Sequence, residues 1–211
     1  VRVRMSNDPA LGRLLHGNLH DAADQTRQEK PNFADWAAKV VVVDGTKLTF
    51  DRPLRVDVNP AWDAQVWAFR PTVSEVGIEN LSFEFAGLPK REHVKEEGFN
   101  AIYIRGPVTN SWVRNVTTID ADNAVNLVQT RFCTIDRVIC KAAKRTTAIT
   151  GHHALWVRQT QDVLFTKFRI DTQFVHDLSV EGLAQGTVFE KGSARAMNFD
   201  HHRNIPYENL F

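Results

Sequence analysis

The chain has 211 residues, of which 43% are apolar, so it can bury a substantial core in one large domain or two small ones. Its 26 Lys and Arg residues nearly balance its 25 Asp and Glu residues. The resulting net charge of +1 excludes a field that would steer the whole protein to nucleic acid or to an anionic membrane. The longest apolar runs, such as VVVV at 40–43, are far shorter than the roughly 20 residues that span a bilayer.

The first 38 residues are predicted to form a helical cap segment. Asp8 is a good N-cap and Pro9 a good first helical residue, followed by apolar positions at helical spacing. Those positions are Leu11, Leu14, Leu15 and Leu19. Such a helix could cover an open end of the domain that follows. Residues 39–58 are then predicted to form two strands, joined at Asp44 and Gly45, that begin that domain.

One phrase occurs five times between residues 99 and 202. Its copies are FNAIYIRG, DNAVNLVQ, HHALWVRQ, VHDLSVEG and ARAMNFDH. In register they give two apolar columns, the first being Ile102, Val125, Leu155, Leu178 and Met197, and the second Ile104, Leu127, Val157, Val180 and Phe199. The column between them is mostly polar, which is typical of strands with one buried face. Copies recur about every two dozen residues, as in a solenoid.

A second repeated phrase begins at residues 76, 111, 133 and 163. Its copies are VGIENLSF, SWVRNVTT, CTIDRVIC and VLFTKFRI. The apolar columns, which begin at Ile78 and at Leu81, are three residues apart, and this step predicts a bend within the segment. Without a helical pattern between copies, equivalent strands are expected to stack in parallel. The sequence thus predicts an all-β chain, with a parallel β-helix over residues 39–211.

The pattern "VxIxN[VL]" followed by "NAIxI" resembles the right-handed parallel β-helices of the pectin lyase-like (pectate lyase) superfamily. Over residues 40–211 the chain is similar to uncharacterised bacterial members, on strings that include EVGIENLSFEF, TGHHALWV and NFDHHRNIPYENLF. The carboxylate motifs of polygalacturonase-type hydrolases are missing, and the Arg-centred motif of calcium-dependent pectate lyases is not evident. The resemblance therefore implies a fold and a carbohydrate substrate without naming a mechanism.

The two cysteines, Cys133 and Cys140, lie on apolar positions of one strand-like segment. Seven extended residues span about 23 Å, beyond the roughly 7 Å that a disulfide allows between Cα atoms. We therefore expect two buried free thiols.

The polar residue that starts each copy of the first phrase changes along the chain, from Asn100 and Asn123 to His153, His176 and Arg195. One interpretation is a ladder of hydrogen-bonded side chains. The other is functional, because neighbouring imidazoles repel when protonated, so a neutral base results. His153 and His176 are the candidate bases, and His152 is a candidate substrate contact.

Charged and aromatic residues follow the other end of the same strands. Arg158, Glu181 and Asp200 are candidate catalytic residues, and the candidate substrate-binding residues are Tyr103, Arg105, Trp156, His201 and His202. Aromatic rings beside charged groups suit a sugar-binding groove. The alternative is a solvated ladder of ion pairs. Glu96, Glu97 and His93, in the charged loop 87–98, could reach over the strands.

These residues support two alternative hypotheses about function. The first is a lyase on an acidic, uronate-containing polysaccharide, with His153 or His176 as base and Arg158 neutralising the carboxylate; a hydrolase would use Glu181 and Asp200. The second is a non-catalytic binding or extracellular structural module. We expect no cofactor and no bound metal ion, because the spacing of the histidine and aspartate residues among these candidates matches no short zinc signature. We expect an extracellular or periplasmic location. We also expect the chain to be a fragment of a longer solenoid, whose C-terminal end is covered by another chain or by missing coils.

Overall fold

A computed structural model describes residues 1–6, 9–16, 33–204 and 206–211, and these fall into two compact units. The first unit comprises Val1–Arg70 with Arg203–Ile205, and the second comprises Pro71–His202 with Pro206–Phe211. In the described part of the chain, no helix combines the length and the apolar character needed to cross a membrane.

In its described residues, the first unit contains a small antiparallel sheet, an α-helix and a hairpin. Its elements are β1 (Arg2–Ser6), α1 (Pro9–His16), β2 (Phe33–Ala37), β3 (Val40–Asp44), β4 (Lys47–Phe50), a short 3₁₀ helix (Pro60–Trp62) and β5 (Gln65–Trp67). Strand β1 lies between β2 and β5. The helix predicted from the apolar spacing is present at Pro9–His16, with Leu11 and Leu15 buried and Leu14 exposed. The first 38 residues are not all helical, however, because Arg2–Ser6 and Phe33–Ala37 pair as antiparallel strands. The proposed cap at Asp8 and the contact of Leu19 lie outside the described residues.

The hairpin corrects the interpretation of residues 39–58. Asp44 pairs with Lys47 across Gly45, so the predicted turn is confirmed. The expectation that these strands begin the parallel domain is wrong, because β3 and β4 pair antiparallel with each other. Two strands joined by a two-residue turn can pair only in this way, whereas a parallel pair needs a long crossover. The side chains of Val41, Val42 and Val43 are 52%, 53% and 67% exposed.

The second unit consists of two parallel sheets. Its strands are β6 (Val73–Ser74), β7 (Gly77–Glu84), β8 (Asn100–Thr109), β9 (Trp112–Ile119), β10 (Asn123–Arg131), β11 (Thr134–Lys141), β12 (Gly151–Arg158), β13 (Leu164–Thr166), β14 (Arg169–Ile170), β15 (Phe174–Glu181), β16 (Val188–Glu190), β17 (Ser193–Ala194) and β18 (Phe199–His202). The six-stranded sheet has the order β18-β15-β12-β10-β8-β6. In the seven-stranded sheet β7 pairs with β9 and β9 with β11; β11 pairs with both β13 and β14, which pair with β16 and β17 respectively. From β7 onward the chain enters the two sheets alternately.

The predicted register is confirmed over the first four copies of the repeat. Ile102, Val125, Leu155 and Leu178 are partners on successive strands, and each is at most 3% exposed. In the other sheet, Val113 pairs with Ile78 and Ile135, and Ile135 pairs with Phe165. Side chains of both sheets form one apolar core. At the edge strand β7, Leu81 remains 40% exposed.

The predicted bend in the second phrase is made by one residue of left-handed backbone in each copy. Asn80, Asn115, Arg137 and Lys167 have φ values of 58°, 52°, 54° and 55°. Asparagine tolerates this conformation better than most residues. The side chain of Asn115 donates to Asn80 at 3.0 Å and accepts from Arg137 at 2.5 Å, so the bends are also linked from copy to copy.

For the fifth copy of the repeat, the predicted register is wrong by two residues. Leu178 pairs with Phe199 rather than with Met197, so Arg195 does not continue the polar column. Phe199 is 57% exposed instead of buried, and its ring contacts that of Phe211 at 5.1 Å between centroids. A shift of two residues leaves the alternation of strand faces intact, so the apolar pattern alone cannot detect it.

Both cysteines are free and buried, as predicted. Burial raises the pKa of the Cys140 thiol to about 12 and also raises that of Cys133. Neither thiol is therefore reactive in the folded protein at neutral pH.

Residues 206–211 add two isolated parallel bridges at the end of the second unit. Tyr207 bridges Gln185 and Leu210 bridges Val188 in parallel, while the Leu210 side chain is 63% exposed. That another chain or further coils cover this end remains a prediction.

Candidate functional site

The polar column at the start of the strands is a hydrogen-bonded ladder that ends in imidazoles. Asn123 Nδ2 donates to Asn100 Oδ1 at 2.6 Å, and Asn123 Oδ1 lies 3.1 Å from Nδ1 of His153. His153 is in turn the strand partner of His176, as predicted, and their rings stack with centroids 4.8 Å apart. The ladder interpretation thus holds for Asn100 and Asn123, and His153 belongs to the same ladder.

Four imidazoles surround His176, and we call the five rings, together with Asp200, the histidine cluster. The members are His93, His152, His153, His176 and His202. The ring of His152 lies 4.4 Å from that of His93, 4.1 Å from that of His153 and 5.5 Å from that of His176. The rings of His93 and His202 lie 6.0 Å and 5.3 Å from that of His176. Loop 87–98 therefore does reach over the strands and brings His93 to the strand histidines.

A buried ion pair anchors this loop at both ends. Arg145, in the connection between β11 and β12, lies 2.7 Å from Asp122, and both side chains are 1% exposed. Arg145 Nε donates to the backbone oxygen of Leu88 at 2.9 Å, while Asp122 Oδ2 accepts from the backbone N–H groups of Gly98 and Phe99, each at 2.9 Å. These bonds fix the two ends of the segment that carries His93.

The electrostatics of the cluster keep its inner imidazoles neutral. Burial, reinforced by His152 and His176, lowers the pKa of His153 to about 2. Burial likewise lowers the pKa of His152 to about 4, although Glu96 opposes this effect. A base with a pKa near 2 binds a proton too weakly to act near neutral pH. His153 is therefore a poor candidate base, in contrast to the expectation from sequence.

Asp200 connects three members of the site through one carboxylate. Its Oδ2 lies 2.8 Å from Nδ1 of His176 and 3.5 Å from Nδ1 of His202, and it accepts from Ser179 Oγ at 2.9 Å. Burial alone would raise the pKa of Asp200, but the hydrogen bonds from His176 and Ser179 and the nearby imidazoles lower it below its usual value. The carboxylate is thus charged and able to orient both rings.

The two predicted halves of the site are joined by Trp156. Its ring lies 5.3 Å from that of His153, and its Nε1 donates to Glu181 Oε2 at 3.0 Å. Glu181 is 7% exposed and Ser179 is fully buried, so the middle of this face is closed. Glu181 is therefore placed to hold Trp156 rather than to meet a bulky substrate directly.

The other predicted residues are distributed unevenly. Arg158 is the strand partner of Glu181, as expected, but His202 and not Asp200 follows on the next strand, because of the two-residue shift. Tyr103 and Arg105 are exposed on β8. This strand lies two strands away from that of Trp156, which is about 10 Å between the backbones. His201 is exposed, and its ring contacts that of Phe211 at 5.3 Å between centroids. It therefore does not join the cluster.

Sequence reasoning did not assign a site role to His93, Arg145, Asp122 or Ser179. His93 lies in a charged loop without periodicity, so no pattern places it. Arg145 lies in the insertion that lengthens one interval of the repeat to 30 residues, and this irregularity was the available signal.

Among the described residues, two overlapping sets of side chains have the geometry to hold a metal ion. In the first, one ring nitrogen from each of His93, His152 and His176 lies within 4.8 Å of the others; in the second, the same limit holds for His176, Asp200 and His202. Nitrogen donors of this kind suit zinc and similar ions, whereas calcium requires six or more oxygens. Chemically, the cluster can accept a proton or bind an ion.

Comparisons with protein-family models, curated proteins and solved structures gave no match to this chain.

Proposed function

We propose that the two parallel sheets are faces of one right-handed parallel β-helix. The alternation of the chain between the sheets and the common core support this arrangement. Each connection from one strand to the next parallel strand of the same sheet is a crossover, and about 98% of such crossovers are right-handed. The resemblance of this chain to pectin lyase-like proteins is a resemblance of sequence pattern.

On this scaffold we propose a carbohydrate-active enzyme that cleaves an acidic, uronate-containing polysaccharide by β-elimination. The observation that carries the proposal is the pair of His176 and Asp200, whose side chains are 16% and 22% exposed. With Nδ1 held by the carboxylate at 2.8 Å, the ring presents Nε2 as the proton acceptor. His176 replaces His153 as the candidate base.

The reaction needs one base and no redox partner. Nε2 of His176 takes the proton at C5 of the uronate, the electron pair forms the C4=C5 double bond, and the C4–O bond breaks. The departing oxygen takes a proton from the surroundings, which leaves a new chain end, and the imidazolium of His176 returns its proton to solvent. Asp200 stabilises the imidazolium by its negative charge.

Binding groups surround this pair. The imidazoles of His93 and His202 are the more exposed neighbours of His176, and their N–H groups can donate to the uronate carboxylate. Arg158 lies five residues along β12 from His153, about 17 Å of extended chain. It therefore suits the carboxylate of a neighbouring sugar better than that of the sugar that loses its proton.

The test is incubation of the purified chain with a panel of uronate polysaccharides. We expect new unsaturated ends, detected by ultraviolet absorbance, in step with new reducing ends, and loss of both in His176→Ala. His201→Ala is the matched control, since it removes a nearby histidine outside the cluster. Reducing ends without unsaturated ends would show a hydrolase instead and would contradict the elimination.

A second candidate is a non-catalytic module that binds polysaccharide or serves as an extracellular structural element. The closed middle of the face, with Ser179 fully buried and Glu181 7% exposed, favours it. The same assay separates the two functions, because a binder retains the polysaccharide in a pull-down and releases no new ends. Either function places the protein where such polymers occur, outside the cell or in the periplasm.

A further inference from the structure

We infer that His93, His152 and His176 form a binding site for one borderline divalent metal ion of the zinc class. One ring nitrogen of each residue lies within 4.8 Å of the others. Ligand nitrogens around a tetrahedral zinc ion, each about 2.0–2.1 Å from it, are about 3.4 Å apart. The three rings therefore need only small rotations to meet a common ion.

One of these histidines already has the outer partner that metal ligands require. A ligating histidine almost always directs its second ring nitrogen to a carboxylate or carbonyl, which fixes the tautomer and the ring orientation. Nδ1 of His176 lies 2.8 Å from Asp200, so Nε2 of His176 is the nitrogen that remains for the ion. Nδ1 of His152 lies 3.6 Å from Glu96, which is just beyond hydrogen-bonding distance, so this carboxylate is near the ring without yet being bonded to it.

Glu96 is itself held in place, which strengthens the case for His152. Lys90 Nζ lies 3.2 Å from Glu96 Oε1, and the two side chains are 7% and 8% exposed. A buried carboxylate with both a lysine and a histidine beside it is expensive to maintain. Here it lies beside an imidazole that carries one of the candidate ligand nitrogens.

The donor set decides the class of ion. Three imidazoles favour zinc, nickel, cobalt or copper over magnesium and calcium, which prefer oxygen. Three protein ligands leave the fourth position of a tetrahedral ion for water or another ligand. That position can face solvent, since His93 is exposed.

The site draws its ligands from one loop and two strands, which is why no short zinc signature occurs in the sequence. Loop 87–98 must be anchored for His93 to contribute, and the Arg145–Asp122 pair provides that anchor. The alternative set of His176, Asp200 and His202 would use Asp200 as a ligand instead of as an orienting group.

This inference does not require the proposed lyase activity. Where both hold, the ion and the substrate proton compete for Nε2 of His176, so bound zinc would inhibit elimination. Metal binding can be measured without any polysaccharide, and the failure of one proposal is therefore distinguishable from failure of the other.

The experiment is calorimetric titration of the chelator-treated full chain with Zn²⁺, with Co²⁺ absorption as a report of tetrahedral nitrogen coordination. We expect one ion per chain and no binding of Ca²⁺ or Mg²⁺. His93→Ala is the decisive variant, because His93 is exposed and its loss should leave the fold intact; we expect its affinity to fall at least about tenfold. His201→Ala should bind as the parent does.

His202→Ala distinguishes the two overlapping sets. If His93, His152 and His176 hold the ion, His202→Ala retains the affinity of the parent, and Zn²⁺ raises the melting temperature of both. Absence of Zn²⁺ binding by the parent would overturn the inference. So would unchanged affinity in His93→Ala, or loss of binding in His202→Ala with retention in His93→Ala.

Discussion

Asp200 Oδ2 lies 2.8 Å from Nδ1 of His176, although the two residues lie on neighbouring strands and are not strand partners. The partner of Asp200 is Ser179, which donates to the same oxygen at 2.9 Å. The carboxylate thus reaches along its neighbouring strand to orient the imidazole, and the position of β18 determines whether it can do so.

If the proposed elimination takes place, Asp200→Asn should therefore abolish most of it without unfolding the protein. Asparagine keeps the shape of the side chain and can still accept from Ser179, but it lacks the charge that stabilises an imidazolium. We expect the elimination rate to fall on the order of 10²-fold or more, the usual contribution of a positioned acid or base. Initial rates of double-bond formation measure the effect.

The matched control for that variant is Asp171→Asn, which removes a carboxylate that pairs with Arg169 on the other sheet. Its rate should equal that of the parent. Equal losses in both variants would show a general effect of charge, and Asp200 would then have no special role.

Arg145→Met tests the anchor of loop 87–98. Removing one partner of a buried ion pair leaves the other uncompensated, so we expect a loss of about 3–5 kcal/mol in the free energy of unfolding. Amide hydrogen exchange should also accelerate across residues 88–99, because the bond to the Leu88 carbonyl is lost. Chemical denaturation and exchange mass spectrometry measure the two effects.

Arg169→Met is the comparison for Arg145→Met, since it breaks the exposed pair with Asp171 at 2.8 Å. Exposed pairs contribute about 0–1 kcal/mol, so little should change. A loss in Arg145→Met no greater than this would mean that the buried pair does not hold the loop.

Leu155→Ala tests the core. Leu155 is fully buried between its partners Val125 and Leu178, so truncation should cost about 2–5 kcal/mol. Phe199→Ala should cost much less, although both residues lie in apolar columns of the same repeated phrase, because Phe199 is 57% exposed. Urea denaturation of both variants decides this, and equal losses would contradict the observed register of β18.

The sequence predicted the parallel strands because each inward column is apolar in copy after copy. A one-residue error would have moved Leu155 and its partners to the outer face, so the pattern excluded it. A two-residue error in the last copy moved no residue to the other face, and nothing in the alternation could reveal it. This single slip misplaced Asp200 opposite Glu181 and hid its pairing with His176.

The sequence indicated that loop 87–98 could reach over the strands, but the contacts that position His93 could not be predicted from it. His93 acquires its position from Arg145, which bonds Leu88 57 residues away along the chain, and from Asp122, which bonds Gly98 24 residues away. Bonds of this kind join side chains to backbone groups that are distant in sequence and meet only in the folded structure. Sequence patterns carry local periodicity, so they placed the strand histidines and left the loop histidine unassigned.

The pKa of Cys140 gives a test of burial through the pH dependence of stability. Burial raises this pKa from about 9 to about 12, so the folded state holds the thiol proton more tightly than the unfolded state does. The stabilisation is fully present below about pH 9 and is lost as the pH rises from about 9 towards about 12, at up to about 1.4 kcal/mol per pH unit. Cys140→Ala lacks the titrating group but keeps all others, so its free energy of unfolding should fall less steeply over this range. Urea denaturation at pH values across the range measures both slopes.

Thiol labelling without reductant should find no reactive group in the folded parent at neutral pH and two after denaturation. Parallel pH profiles for the parent and Cys140→Ala, or rapid labelling of the folded parent, would contradict the buried position of Cys140.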